Sequence, residues 1–161
     1  MRYVGRYATT RAKLRAYLAR KLRERGWSGE REPDLEQIAE RFRELGYVDD
    51  AAYALAKSQA LSSRGYGKGR LNDKLRMAGV AEEDGSAARD HADARAVEAA
   101  LRFAKRRRIG PFAASVADPK DRQKAIAAMV RAGHSFGIAK AIAALAPGAE
   151  VDPQALGEQS R

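Results

Sequence analysis

The chain has 161 residues, 45% of them apolar and 32% charged, with a net charge of +10 and no cysteine. The lack of cysteine excludes disulfides, thiol catalysis and thiolate metal sites. No apolar run approaches the ~20 residues that span a bilayer, and no secretory apolar segment follows Met1, so a cytoplasmic protein is expected. Much of the apolar share is alanine, beside only four Phe and one Trp; a thin, distributed core is expected.

Charge alternates along the chain. Residues 1–27 carry nine cations and one anion, residues 28–56 three and eight, residues 57–80 six and one. Residues 81–101 are acidic again, 102–140 carry ten cations against two anions, and the end is weakly acidic. Alternation reads as basic stripes for phosphate and acidic ones for a protein partner, or as helix faces that pair with each other.

In chain order, residues 10–25 read as a helix with Leu14, Leu18 and Leu22 at four-residue spacing and Thr9 or Thr10 as its cap. The next runs over about 33–45, opened by Pro33, with Leu35, Ile38, Phe42 and Leu45 as its apolar stripe. Asp49 or Asp50 starts a third over 50–63, and Leu71 and Leu75 mark a fourth over 68–78. One long helix is expected over 81–108, an irregular stretch over 109–117, and a helix from Asp118-Pro119 to about 132. Ser135 or Phe136 opens the last, which Pro147-Gly148 stops. No segment alternates with period two for long, so the expected fold class is all-α without a sheet.

Six of these segments close in a similar way. Leu22-Arg23-Glu24-Arg25-Gly26-Trp27, Phe42-Arg43-Glu44-Leu45-Gly46-Tyr47 and Leu75-Arg76-Met77-Ala78-Gly79-Val80 share the order apolar, Arg, two residues, Gly, apolar. Looser copies end at Gly65, Gly110 and Gly133. Glycine just past a helix enters the left-handed region that terminates it, and the preceding cations face the negative helix end. Reuse of one short unit points to tandem helical repeats: 1–63, 64–110 and 111–146, followed by a disordered tail over 147–161.

No enzymatic constellation is present, so no catalytic residue, metal site or cofactor is assigned. His91 and His134 are far apart, and His134 fills the apolar slot after Gly133, where packing is its expected role. Gly65-Tyr66-Gly67-Lys68-Gly69-Arg70 lacks the framing and final Lys-Ser/Thr of a nucleotide P-loop. Two readings remain open for it: free amides at a helix start flanked by Lys68, Arg70, Lys74 and Arg76, which would take backbone phosphate, or a tight helix–helix turn. The strongest polyanion feature is the run Lys105, Arg106, Arg107 and Arg108 at a helix end, with 102, 105, 106 and 109 on one side. The N-terminal set, including Arg11, Arg15 and Arg20, surrounds the leucine stripe and is a second candidate. Base-stacking platforms and sequence-reading motifs are not evident.

Gly46-Tyr47-Val48-Asp49-Asp50-Ala51-Ala52-Tyr53-Ala54 resembles the G-Y-[LV]-D-D-x-x-[FY]-A signature of the RecX family, bacterial regulators of the RecA recombinase. Arg64-Gly65-Tyr66-Gly67 with Arg70-Leu71, Leu75 and Gly79-Val80 resembles its second signature, Thr10-Arg11-Ala12-Lys13-Leu14 its first helix, and Ala127–His134 its last unit, where an aromatic usually follows the glycine. Lys13 stands where an acid is usual, and residues 1–8 are expected to be the remainder of a preceding helix. The resemblance implies an elongated, curved array of three-helix repeats that lies in the groove of the RecA–DNA filament. It also implies inhibition of RecA's ATPase, coprotease and strand-exchange activities, hence a place in homologous recombination, DNA repair and the SOS response. The implied partners are the filament and single- or double-stranded DNA through phosphate contacts, with no membrane and a monomeric chain. On this reading Arg64, Lys68, Arg70 and the 105–108 run touch polyanion, while Tyr47, Asp49, Asp50 and Tyr53 serve capping and packing. The alternative is a stand-alone, sequence-nonspecific DNA-binding helical repeat protein.

Overall fold

The computed structural model describes residues 9–158, and among them every regular element is helical. The order is α1 (Arg11–Arg25), α2 (Leu35–Glu44), α3 (Asp50–Ser63), α4 (Lys68–Ala78), α5 (Ser86–Ala94), α6 (Ala96–Arg107), a 3-10 turn (Gly110–Phe112), α7 (Pro119–Arg131), α8 (Phe136–Ala144) and α9 (Pro153–Glu158). The expectation for residues 1–8 lies outside the described residues.

Short side chains set most helix starts. Thr10 accepts from the Lys13 amide, Asp118 from Asp121 and Ser135 from Ile138, each supplying an acceptor to an otherwise orphaned first-turn donor. The Asp49 carboxylate does the same for the Ala52 amide. The second helix starts later than expected: Asp34 accepts from Glu36 and Gln37 and is the cap, so Pro33 precedes the helix. The long helix expected over 81–108 is two, broken at Arg95, whose backbone (φ −106°, ψ 8°) leaves helical geometry. At the other ends, five of the six glycines follow a helix at positive φ; the sixth, Gly110, also at positive φ, opens the 3-10 turn instead, and α6 closes on left-handed Arg108.

The chain divides into two compact units. One takes the chain up to Ala56 with Lys74–Ala87, the other Lys57–Asp73 with Ala88 onward, and α3 and α4 each supply residues to both. In the first, Leu14, Ala39 and Val48 form a small core backed by Leu18 and Phe42. Leu45, expected in the apolar stripe of α2, is instead 51% exposed. Thr10 also donates its hydroxyl proton to the Ala78 carbonyl at 2.6 Å, both groups buried. Arg11 ties three segments: its guanidinium pairs with Glu40 at 3.4 Å, Asp84 at 3.0 Å and Asp50 at 3.7 Å, and its amide donates to Asp50 Oδ1 at 2.9 Å. Burial raises the Asp50 pKa and Arg11 opposes it; a carboxylate at 4% exposure requires such a partner.

The second unit has the larger core: Phe103, Ile109, Ile126, Met129, Ile138, Ile142 and Leu156, filled in by Ala100, Ala104, Ala132, Ala139 and Ala143. Alanine at so many contact positions lets helices approach closely and leaves little apolar area per residue. The stretch read from sequence as a disordered tail contains α9, whose Leu156 is 5% exposed against that core.

A close backbone approach joins the start of α4 to the end of α7. The Gly67 amide donates to the Ala132 carbonyl at 3.0 Å and the Gly69 amide to the Gly133 carbonyl at 2.9 Å. A Cβ on Gly67 would sit 2.3 Å from the Gly133 carbonyl oxygen, an immovable backbone atom. Gly46 contrasts with it: φ is +72°, but a Cβ there would meet nothing within 4 Å. Gly46→Ala should therefore cost only left-handed strain, about 1 kcal/mol. Gly67→Ala should cost about 2 kcal/mol or more and deprotect the Gly69 amide. Urea unfolding followed by circular dichroism, with hydrogen exchange at Gly69, checks both; equal losses would mean that the α4–α7 approach yields readily.

Candidate polyanion-binding groove

Three helix ends of the second unit meet near Tyr66, and each brings arginine in its last turn or just past it. The α3 end supplies Arg64, the last turn of α6 supplies Arg106 and Arg107, and α7 closes on Arg131. Cations in a last turn are favoured by the unpaired carbonyls there. Arg106 makes this explicit, donating from Nη1 to the Arg64 carbonyl at 2.6 Å. Arg70 enters from the first turn of α4, which the Gly67–Ala132 and Gly69–Gly133 hydrogen bonds hold against the end of α7.

The result is an open groove of about 710 Å³ lined by these five arginines with Tyr66, Phe103, Ala128 and Ala132. The guanidinium carbons of Arg64, Arg70 and Arg106 lie 6.0, 5.9 and 5.8 Å from the Tyr66 ring centroid. Arg106 and Arg107 lie 5.4 and 5.9 Å from that of Phe103. No carboxylate lines the groove, and none of the five arginines forms an ion pair among the described residues. Contact with an aromatic face contributes about 0.5–1 kcal/mol at exposed sites, which helps hold like charges together but leaves their field uncompensated. A bound anion would relieve it further than solvent and mobile counter-ions do.

Beneath the groove His134 is 6% exposed. Its Nε2–H donates to the Gly65 carbonyl at 3.1 Å, and its ring meets Phe103 edge-on at 5.6 Å. Because a carbonyl only accepts, Nε2 carries the proton of the neutral ring and Nδ1 is bare. Packing is thus its role, as the sequence implies.

Of the cations singled out from sequence, the groove gathers Arg64, Arg70, Arg106 and Arg107. It divides the 105–108 run: Lys105 and Arg108 are exposed but do not line it, and Arg108 occupies the left-handed position (φ 55°) that ends α6. The side of α6 that matters is 103, 106 and 107; Ile109 is buried, and Arg102 turns away to pair with Glu98, which Arg95 also holds at 2.7 Å. Lys68 pairs with Asp93 at 2.5 Å. The reading of free amides at the start of α4 is overturned, since the Gly67 and Gly69 amides already donate to carbonyls; the tight helix–helix turn is what forms. Lys74 and Arg76 belong to the first unit. So do Arg11, in its three-carboxylate cluster, Arg15, paired with Glu36, and Arg20, 3.6 Å from Glu24. Arg131 was not singled out, although Arg131-Ala132-Gly133 is a copy of the helix-end pattern that carried the signal.

The sequence is 32% identical over 152 residues to the regulatory protein RecX of Myxococcus xanthus strain DK1622, an alignment covering 88% of this chain and 80% of that protein. The chain belongs to the RecX family. A second RecX regulatory protein, from Agrobacterium fabrum strain C58, is 34% identical over 98 residues, 61% of this chain and 52% of its own length. No family model matches the chain. The RecX signature residues have structural work in this fold. Asp49 caps α3, Asp50 holds Arg11, Tyr53 accepts from Lys13 Nζ at 2.8 Å, and Tyr47 packs at 5.7 Å against Phe42.

Burial lowers the pKa of His134, with the Gly65 hydrogen bond opposing. A folded value below the ordinary ~6.5 means the folded protein binds fewer protons than the unfolded chain between the two values. The stabilisation is therefore complete above about pH 6.5 and is lost as pH falls through the folded value. Thermal midpoints should drop from about pH 7.5 to 5, and less steeply in His134→Phe, which keeps an aromatic ring against Phe103 without a titratable nitrogen. Parallel profiles would mean that the imidazole takes up its proton as readily in the folded protein as in the unfolded chain.

Proposed function

We propose that this RecX-family chain regulates the RecA recombinase by binding the RecA–DNA filament and restraining its ATPase, coprotease and strand-exchange activities. The arginine groove contacts DNA phosphate. Relatives named as regulatory proteins support the regulatory part. The observation that carries the phosphate part is the convergence of five arginines without a carboxylate among them. Guanidinium forks match phosphate oxygens bidentately and carry no base information, so contact would be sequence-independent. Regulation by occupancy needs no catalytic group.

The same reading takes the chain as a cytoplasmic monomer built from three repeats, 1–63, 64–110 and 111–146, laid along the filament. Among the described residues no helix is long and apolar enough to cross a membrane. Electrostatic steering toward DNA and a protein contact for specificity would act together. A second reading, a self-sufficient DNA binder, draws on the same groove, because phosphate contact does not itself require RecA.

The two readings differ in stoichiometry. A filament regulator suppresses DNA-dependent ATP hydrolysis by RecA when far too scarce to coat the DNA; a self-sufficient binder does so only near DNA saturation. For the groove, Arg70→Ala/Arg107→Ala/Arg131→Ala should weaken DNA binding and flatten its dependence on log salt by roughly 0.9 per lost duplex phosphate contact. Lys105→Ala/Arg108→Ala should change it less. Equal slopes in the two variants would remove the groove from the DNA interface.

A further inference from the structure

We propose that the arginine groove also binds compact oligophosphates, the chain of linked phosphates carried by a nucleoside triphosphate or by inorganic polyphosphate. It does so through the phosphates alone, so that such a ligand competes there with polynucleotide. The inference shares the groove with the DNA contact proposed above but stands on the compactness of the cluster and is independent of RecA.

Compactness is the first argument. Three guanidinium carbons lie within 6.0 Å of a single ring centroid, so no two of them are farther apart than twice that distance. Arg106 lies near both rings, which links Arg107 to the same cluster. A nucleic-acid strand presents one charge per phosphate, separated by a sugar; linked phosphates present several charges on adjacent centres. Clustered, carboxylate-free guanidiniums match the second distribution, each able to engage two oxygens.

The second argument concerns Tyr66. It is half-buried, packed against the core and surrounded by three guanidiniums. A base could stack on it only by displacing arginine, which would forfeit the cations that hold the phosphates. Tyr66 therefore works as an anchor that orders arginine rather than as a stacking platform. Recognition follows charge density and ignores the attached group.

Rigidity is the third. Arg106 is tied to the Arg64 carbonyl at 2.6 Å, and the backbone carrying Arg70 is bonded to that of Ala132 and Gly133, next to Arg131. Cations held on fixed backbone lose less freedom on binding than those on free helix faces.

Isothermal titration of the full chain with ATP and, separately, inorganic tripolyphosphate at about 0.1 M salt tests this. Both should bind, with dissociation constants within about threefold of each other, and Arg70→Ala/Arg131→Ala should weaken both about tenfold or more. Lys105→Ala/Arg108→Ala, which keeps the helix end but spares the groove, should stay within about threefold of the parent. Tyr66→Leu should weaken both ligands alike; if it does not fold by circular dichroism, the arginine variants carry the test. Failure of both ligands to bind, or ATP binding about tenfold tighter than tripolyphosphate, would overturn the inference, the latter by revealing base recognition. Displacement of a labelled single-stranded oligonucleotide separates the two claims. Oligophosphates that fail to bind, beside DNA affinity that still needs the arginines, sink this inference and leave the DNA contact standing. Oligophosphate binding that needs the arginines, beside DNA affinity that does not, removes the DNA contact and the competition with polynucleotide and leaves the oligophosphate site standing.

Discussion

Helix ends must satisfy their backbone groups, and in the second unit two of them satisfy each other. The carbonyls that close α7 accept the amides that open α4, an arrangement possible only because neither Gly67 nor Gly133 has a side chain to hold the backbones apart. Two hydrogen bonds of about 1 kcal/mol each are modest as energy. As geometry they decide the site: they remove the amides of α4 from service as an anion cradle and bring Arg70 beside Arg131.

The anion site that forms instead is a by-product of how helices end. Arginine in or just past a last turn is favoured by local electrostatics, and three such helix ends meet at Tyr66. The four arginines at helix C-terminal ends have a local reason to be where they are, Arg70 in the first turn of α4 has none, and together they generate a field that no carboxylate lining the groove offsets. The first unit shows the opposite outcome from similar composition. There Glu36, Glu40 and Glu44 pair with neighbouring arginines, and Asp34 and Asp49 cap helices. The acidic block that reads as a partner surface is therefore largely engaged within its own unit.

The all-helical class was legible in the sequence because glycine terminators and short capping side chains act locally. Gly46, Thr10, Asp118 and Ser135 each do what their neighbours predict. What was not legible depends on contacts distant in the chain. Arg11 resembles any other cation of the basic N-terminal block until Asp84 and Asp50 are seen around it, and the Gly67 and Gly69 amides look free until Ala132 and Gly133 arrive. The site was half legible for the same reason. Arg106 and Arg107 advertise themselves in a run of four cations, whereas Arg131 stands apart from any run at the end of α7 and gains meaning only from the company it keeps. The buried end of α9 was missed because one leucine in a polar segment carries too little periodic signal to mark a helix.

The arginines of the groove come from segments separated by up to 67 positions, from Arg64 to Arg131. An occupant gripped by all of them acts as a transient cross-link. It penalises any excursion in which the α3–α4 turn, the end of α6 or the end of α7 detaches alone, and it shifts the local opening equilibria of that unit in proportion to its occupancy. Loading the groove would thus stiffen the surrounding helix junctions without any rearrangement of the fold.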